Sequence, residues 1–126
     1  MTTATLSLAE HSEIARELLD EAETEFAAGK TLKGSEMLWG AAAHALIAVA
    51  LRLGRPFNSH GALRNVTNQL RHVPGQPGWR REYNVAEELH INFYHGQLSD
   101  ADIADYRPRV RRFVNRLLAV AQPADA

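Results

Sequence analysis

The side chains of this sequence best suited to chemistry crowd into one run, Leu89-His-Ile-Asn-Phe-Tyr-His-Gly96, which sets two imidazoles, an amide and a phenol within eight residues. Imidazole changes charge closest to neutral pH, so such a cluster points either to metal ligation or to acid–base work. Helix geometry separates the two. Five residues turn a helix through roughly 500°, so His90 and His95 point about 140° apart and cannot chelate one ion from a regular helix. The HExxH zinc motif needs its histidines at i and i+4, and a chain with no cysteine has no thiolate site. A metal centre would need three of His44, His60, His90, His95 and Glu36 to converge from different helices. No pair has ligand spacing, so the expectation is no metal and no cofactor.

Each histidine has a plain reading beside the functional one. His90 shares a helical face with Tyr83, Ala86, Leu89 and Phe93, with Tyr94 four residues on and within reach; it is either a core histidine holding one hydrogen bond or a member of a functional site. His90 and Phe93 are expected to face the core, Asn92 and His95 the surface. His95 stands in the last turn before Gly96, where an imidazole suits the unpaired carbonyls of a helix end. His44 lies inside an alanine-rich apolar helix, so its hydrogen bond must come from another helix or another subunit. His60 follows Ser59 at a helix start, where the dipole disfavours charge and leaves a neutral imidazole able to act as base or ligand. Arg109, Arg112 and Arg116 recur at i, i+3 and i+7 and, with Arg80, Arg81, Lys30 and Lys33, would suit phosphates. The seven acidic residues between Glu10 and Glu25 offer the arginines another partner, and the favoured account is that they face solvent or pair with the acidic first helix of the same or a neighbouring chain.

These side chains need elements to hold them, and the sequence supplies helices. Ser7-Leu-Ala-Glu10 has the spacing of a capping box, opening a first helix that Ile14, Leu18, Ala22 and Phe26 continue until Gly29. A second runs from about Leu32 to Leu53, with Gly54 as terminator. It is apolar nearly all round, so it is either the centre of a bundle or shares a face with a second copy. Ser59 caps a short third helix with Leu63, Val66, Leu70 and Val73 inward, and residues 74–78 read as a rigid breaker. A fourth starts near Trp79 and ends at Gly96. The fifth begins at Ser99–Asp100 and keeps Ile103, Tyr106, Val110, Phe113, Leu117 and Val120 in register through Pro108, which should kink it or start its main segment. Nothing reads as a strand.

At 126 residues, 45% hydrophobic and 23% charged, with a net charge of -1, the chain has the balance of one soluble domain spanning 1–126, with a frayed tail about 122–126. That charge argues against a protein made to coat nucleic acid. Glycine-rich phosphate loops and GxSxG elbows are absent. The first fifteen residues lack the pattern of a secretory signal, and the stretch Met37–Leu53 carries His44 and Arg52 and falls short of the roughly 20 residues of a bilayer span. A cytoplasmic protein with a core helix, not a membrane anchor, is expected.

The runs "KGSEMLWGAAAHALIAVALRLG", "SHGALRNV" and "AEELHINFYHG" together resemble the PaREP-type proteins, small helical members of the HEPN superfamily. The likeness extends from the first helix into the fifth and is most specific at Trp39–Ala42, Ser59-His60 and Leu89-His90-x-Asn92-Phe93-Tyr94. It implies an all-α fold, an antiparallel bundle of four main helices plus an additional one, usually dimeric. Many HEPN domains are metal-independent ribonucleases, often toxins partnered by nucleotidyltransferase-like proteins. Their site carries an arginine about four to six residues from a histidine, the arginine on phosphate and the histidine as acid or base. Here no arginine stands at that distance before His90 or His95. If His95 fills the histidine's place, His90 stands where the arginine is expected and binds phosphate only when protonated. The resemblance therefore implies a homodimeric module that binds RNA or nucleotide with a degenerate motif. Its catalytic candidates are His90, His95, Tyr94 and Asn92, and its ligand-binding candidates are His44, His60, Trp39, Arg81, Arg109 and Arg112. The alternatives are an active, toxin-like ribonuclease, perhaps with a co-encoded nucleotidyltransferase-like partner, and a non-catalytic interaction protein whose acidic and basic helices pair between subunits.

Overall fold

The computed structural model describes residues 5–73 and 78–122. Among them the chain forms five helices and no strand: α1 (Leu8–Ala27), α2 (Thr31–Leu53), α3 (His60–Leu70), α4 (Trp79–His95) and α5 (Asp100–Ala121). The breaker expected at 74–78 and the tail expected at 122–126 lie, except for Gly78 and Gln122, outside the described residues.

Local chemistry sets the ends. Ser7 and Glu10 form a reciprocal capping box at the start of α1, and Ser99 and Asp102 form another at α5; each satisfies two of the amides that a helix start leaves without partners. Ser59 accepts from the Ala62 amide to open α3. α4 stops where Gly96 turns left-handed at φ 60, a conformation that costs a residue with a Cβ about 1 kcal/mol or more.

α2 is the axis of the bundle. It packs against α1, α3, α4 and α5, and Ala41, Ala42, Ala45, Ala48 and Ala50 are completely buried, so the small side chains expected to need company on several sides have it within one chain. Close approach is tightest at Gly34, where an added Cβ would lie 2.8 Å from the Phe26 ring. α2 has 23 residues and is long and apolar enough to cross a membrane by length and composition, with half of its most apolar window buried inside the bundle. The helix begins six residues before Met37, so length does not set α2 apart from a bilayer span. Packing against four helices is what marks α2 as a core element.

α5 runs unbroken through Pro108, so the proline does not start a separate segment. Val110, Phe113, Val114, Leu117 and Leu118 all bury on the far side of it. α3 closes at Leu70, one turn before Val73, which packs from outside the helix. Charge pairs α5 with α1, through arginines other than Arg109, Arg112 and Arg116: Arg107 and Arg111 both reach Glu23, at 2.9 and 3.0 Å, and Arg107 lies over the Phe26 ring at 4.1 Å.

Candidate functional site

Three helices meet at one polar face. α2 contributes Glu36 and Trp39, α3 contributes His60 and Arg64, and α4 contributes Tyr83, Glu87, His90 and Tyr94. The α4 residues follow one another at i, i+4, i+7 and i+11, one stripe of a single helix. The Trp39 indole is the floor, 6% exposed. His60, His90 and Tyr83 lie against it with centroids at 5.2, 5.3 and 5.9 Å. The two imidazoles stand 5.3 Å apart, edge to face, and Tyr94 caps His90 at 5.4 Å from the open side.

Each imidazole faces a carboxylate through the same nitrogen. His90 Nδ1 lies 2.7 Å from Glu36 Oε1, and His60 Nδ1 lies 3.4 Å from Glu87 Oε2. The first contact is a hydrogen bond, which a neutral His90 makes with its proton on Nδ1, leaving its Nε2 lone pair free as a base; the second is a longer charge contact. Glu87 is itself held: the Tyr83 hydroxyl donates to its Oε2 at 3.0 Å, and Arg64 Nη2 donates to its two oxygens at 3.3 and 3.4 Å. Burial, then the Glu87 hydrogen bond, drives the Tyr83 phenol above its ordinary range, so it stays protonated and acts as a donor. The arrangement can therefore take a proton at one Nε2, give one from the other when charged, and bind an anion when both rings are protonated.

The sequence candidates divide. His90, His60, Trp39 and Tyr94 converge. Asn92 and Phe93 exchange the places expected of them: Asn92 is 1% exposed, and Phe93 is 36% exposed. Asn92 Oδ1 accepts from the Leu98 amide at 2.8 Å and its amide donates to Ser35 Oγ at 3.4 Å, so it ties the α4–α5 turn to α2. Apolar type suggested Phe93 for the interior, but the polar turn and Ser35 occupy that side, and the amide satisfies them. His95 is exposed and joins neither imidazole.

The arginine strip also comes apart. Arg109 holds Glu82 at 2.7 Å and Asp105 at 3.6 Å, Arg116 lies over the Trp79 ring at 4.4 Å, and Arg112 and Arg81 are exposed away from the histidines. His44 finds its partner on α1: His11 and His44 meet Nδ1 to Nδ1 at 2.9 Å. Their centroids are 5.2 Å apart, so the two rings and the contact lie nearly in line. That is the geometry of one Nδ1–H donating to the other ring's lone pair, not of two lone pairs converging on an ion. Among the described residues no three His, Cys, Asp or Glu side chains come together to hold a metal.

Glu87 and Arg64 escaped the sequence reading, which put Tyr83 on the His90 face of α4 but gave it no part in the site. The Tyr83–Glu87 and Glu87–His90 spacings of four and three were visible, but nothing local placed α3 beside them.

Residues 10–114 match the profile of the archaeal PaREP1/PaREP8 family. The fold is shared with a crystal structure of a protein from Sulfolobus solfataricus, at a TM-score of 0.75 and 16% identity over 96% of this chain and 100% of that one; at that identity the likeness speaks to the fold alone. A search of curated proteins returns no match.

Proposed function

The chain belongs to the archaeal PaREP1/PaREP8 family, and from that premise we propose that it is a HEPN-like, dimeric, cytoplasmic module that binds single-stranded RNA or a nucleotide on the Trp39–His60–His90–Tyr94 face. The observation that carries this reading is the pair of imidazoles 5.3 Å apart, each with its Nδ1 toward a carboxylate, beside an exposed tyrosine on which a base can stack.

Charge sets the conditions. With both rings neutral, Glu36 and Glu87 outweigh Arg64, the one cation paired within the cluster. Protonating both rings reverses the balance, so phosphate binding should strengthen when the rings are charged. This is the behaviour of a HEPN-like site in which histidine replaces the phosphate-binding arginine. Fluorescence anisotropy with labelled oligouridylate at about pH 5.5 and pH 7.5 tests it. Saturable binding that tightens at the lower pH and is lost in His60→Ala and His90→Ala is expected; no saturable binding at either pH sinks the reading.

The same two dyads favour a second reading, metal-independent RNA cleavage. One neutral Nε2 takes the proton of a ribose 2′-hydroxyl as that oxygen attacks phosphorus, and the other ring, protonated, gives its proton to the leaving 5′-oxygen. The products are a 2′,3′-cyclic phosphate and a 5′-hydroxyl end. The acid–base pair is then His60 and His90, with Glu87 and Glu36 orienting, and His95 is a bystander. Cleavage in EDTA that survives His95→Ala and disappears in His60→Ala and in His90→Ala is the expected result; cleavage abolished by His95→Ala returns the assignment to the sequence-based one. A toxin-like role would add a nucleotidyltransferase-like partner, detectable by co-purification with a co-encoded protein.

A further inference from the structure

Nine aromatic side chains occur in the chain, and only Phe93 and Tyr94 are exposed, at 36% and 67%. They are neighbours, edge to face at 5.1 Å, on the last turn of α4. Beyond Phe93 opens a groove of about 570 Å³ lined by Gly29, Lys30, Thr31, Leu32, Lys33 and Phe93. It carries two ammonium groups and no carboxylate. Among the described residues neither lysine enters an ion pair, whereas Arg64, Arg107, Arg109 and Arg111 all do.

The groove is continuous with the histidine face. His60 touches His90, His90 touches Tyr94 at 5.4 Å, and Tyr94 touches Phe93, so an unbroken aromatic track leads from the imidazole pair to the lysines. Exposed rings beside unpaired cations suit a polymer that alternates flat bases with phosphates. A second copy fits less well. A two-fold contact places a patch against itself, and here it would bring Lys30 and Lys33 of both copies together.

We propose that this groove is a subsite for single-stranded RNA, holding the nucleotide adjacent to the one at His60 and His90, with its base on Phe93 and its phosphate facing Lys30 and Lys33. The proposal rests on the RNA reading above and adds where the strand leaves the histidine pair.

The test uses the full chain with two probes, uridine monophosphate and a short oligouridylate. The variants are Phe93→Ala and the double variant Lys30→Glu/Lys33→Glu. All three positions are at the surface, and unchanged thermal melts confirm folding. Each variant should weaken the oligomer about ten-fold or more while leaving the mononucleotide unchanged, and the lysine variant should also flatten the salt dependence. Oligomer affinity unchanged in both variants but lost in His60→Ala overturns the subsite and leaves the RNA reading standing. Oligomer that fails to bind the wild-type chain removes the RNA reading itself. Two further results also overturn the proposal. One is a Phe93→Ala chain that changes from dimer to monomer by light scattering with its RNA affinity intact, which makes the groove an interface between copies. The other is polyglutamate that competes as well as unlabelled oligomer, which makes it a site for an acidic protein.

Discussion

Lowering the pH from about 7.5 to 5 should loosen the bundle through the His11–His44 contact. His11 is 6% exposed and shares one proton bridge of 2.9 Å with His44. Burial holds both imidazoles below their ordinary value of 6.5; for His44 the facing His11 adds to the effect, and for His11 the neighbouring Glu10 opposes it without prevailing. The unfolded chain therefore takes up protons before the folded one does. Stability from the pair is complete above pH 6.5 and falls as pH drops from there toward the folded values, by up to about 1.4 kcal/mol per pH unit for each proton the unfolded chain binds in excess. One proton added to the pair keeps the bridge, because an imidazolium still donates to a neutral ring; the second breaks it. The excess is thus at most two protons, and the loss between pH 6 and 5 is no more than about 3 kcal/mol, read as a fall in the urea midpoint. Urea unfolding of the wild type and of His11→Leu/His44→Leu isolates this contribution from the other histidines. The double variant should lose most of the slope between pH 6.5 and 5. Each single variant should be less stable than the double at neutral pH, by about 1–3 kcal/mol, because it leaves one ring nitrogen unpaired. A double variant with the full wild-type slope, or single variants as stable as the double, would refute the shared-proton account.

Three further outcomes follow from the packing. Asn92→Ala should cost about 1–3 kcal/mol by thermal melt, because the Leu98 amide and Ser35 hydroxyl lose a buried partner, while the surface change His95→Ala stays within about 0.5 kcal/mol. Gly34→Ala should destabilise by about 1–3 kcal/mol in chemical unfolding, since its Cβ meets the Phe26 ring that Arg107 covers from outside. Burial raises the Glu23 carboxyl, but its hydrogen bonds to Arg111 and Arg107 prevail and hold it below 4.5. Its contribution is present above pH 4.5 and fades as pH falls below it, and Glu23→Gln should remove that acid sensitivity at a cost of no more than about 1 kcal/mol at pH 7, because the pair is partly exposed.

The sequence by itself determined the helices and their ends. Ser7 with Glu10, Ser59, Ser99, Gly54 and Gly96 act over three or four residues, so their caps form wherever the chain goes, and an α2 apolar on all sides required neighbours on all sides. It also required that His44 find a partner beyond its own helix. Which partner was a tertiary decision, because His11 lies 33 residues away and nothing local aligns it with His44. The same holds for the candidate site. LHINFYHG supplied His90 and Tyr94, but Glu36, Trp39, His60 and Glu87 join them only because α3 and α4 cross the same part of α2. Asn92 and Phe93 show the limit most directly: on an isolated helix, apolar type assigns the phenylalanine to the core. In the folded chain the polar turn before α5 and Ser35 of α2 fill that side, so the amide goes in and the ring is left at the surface.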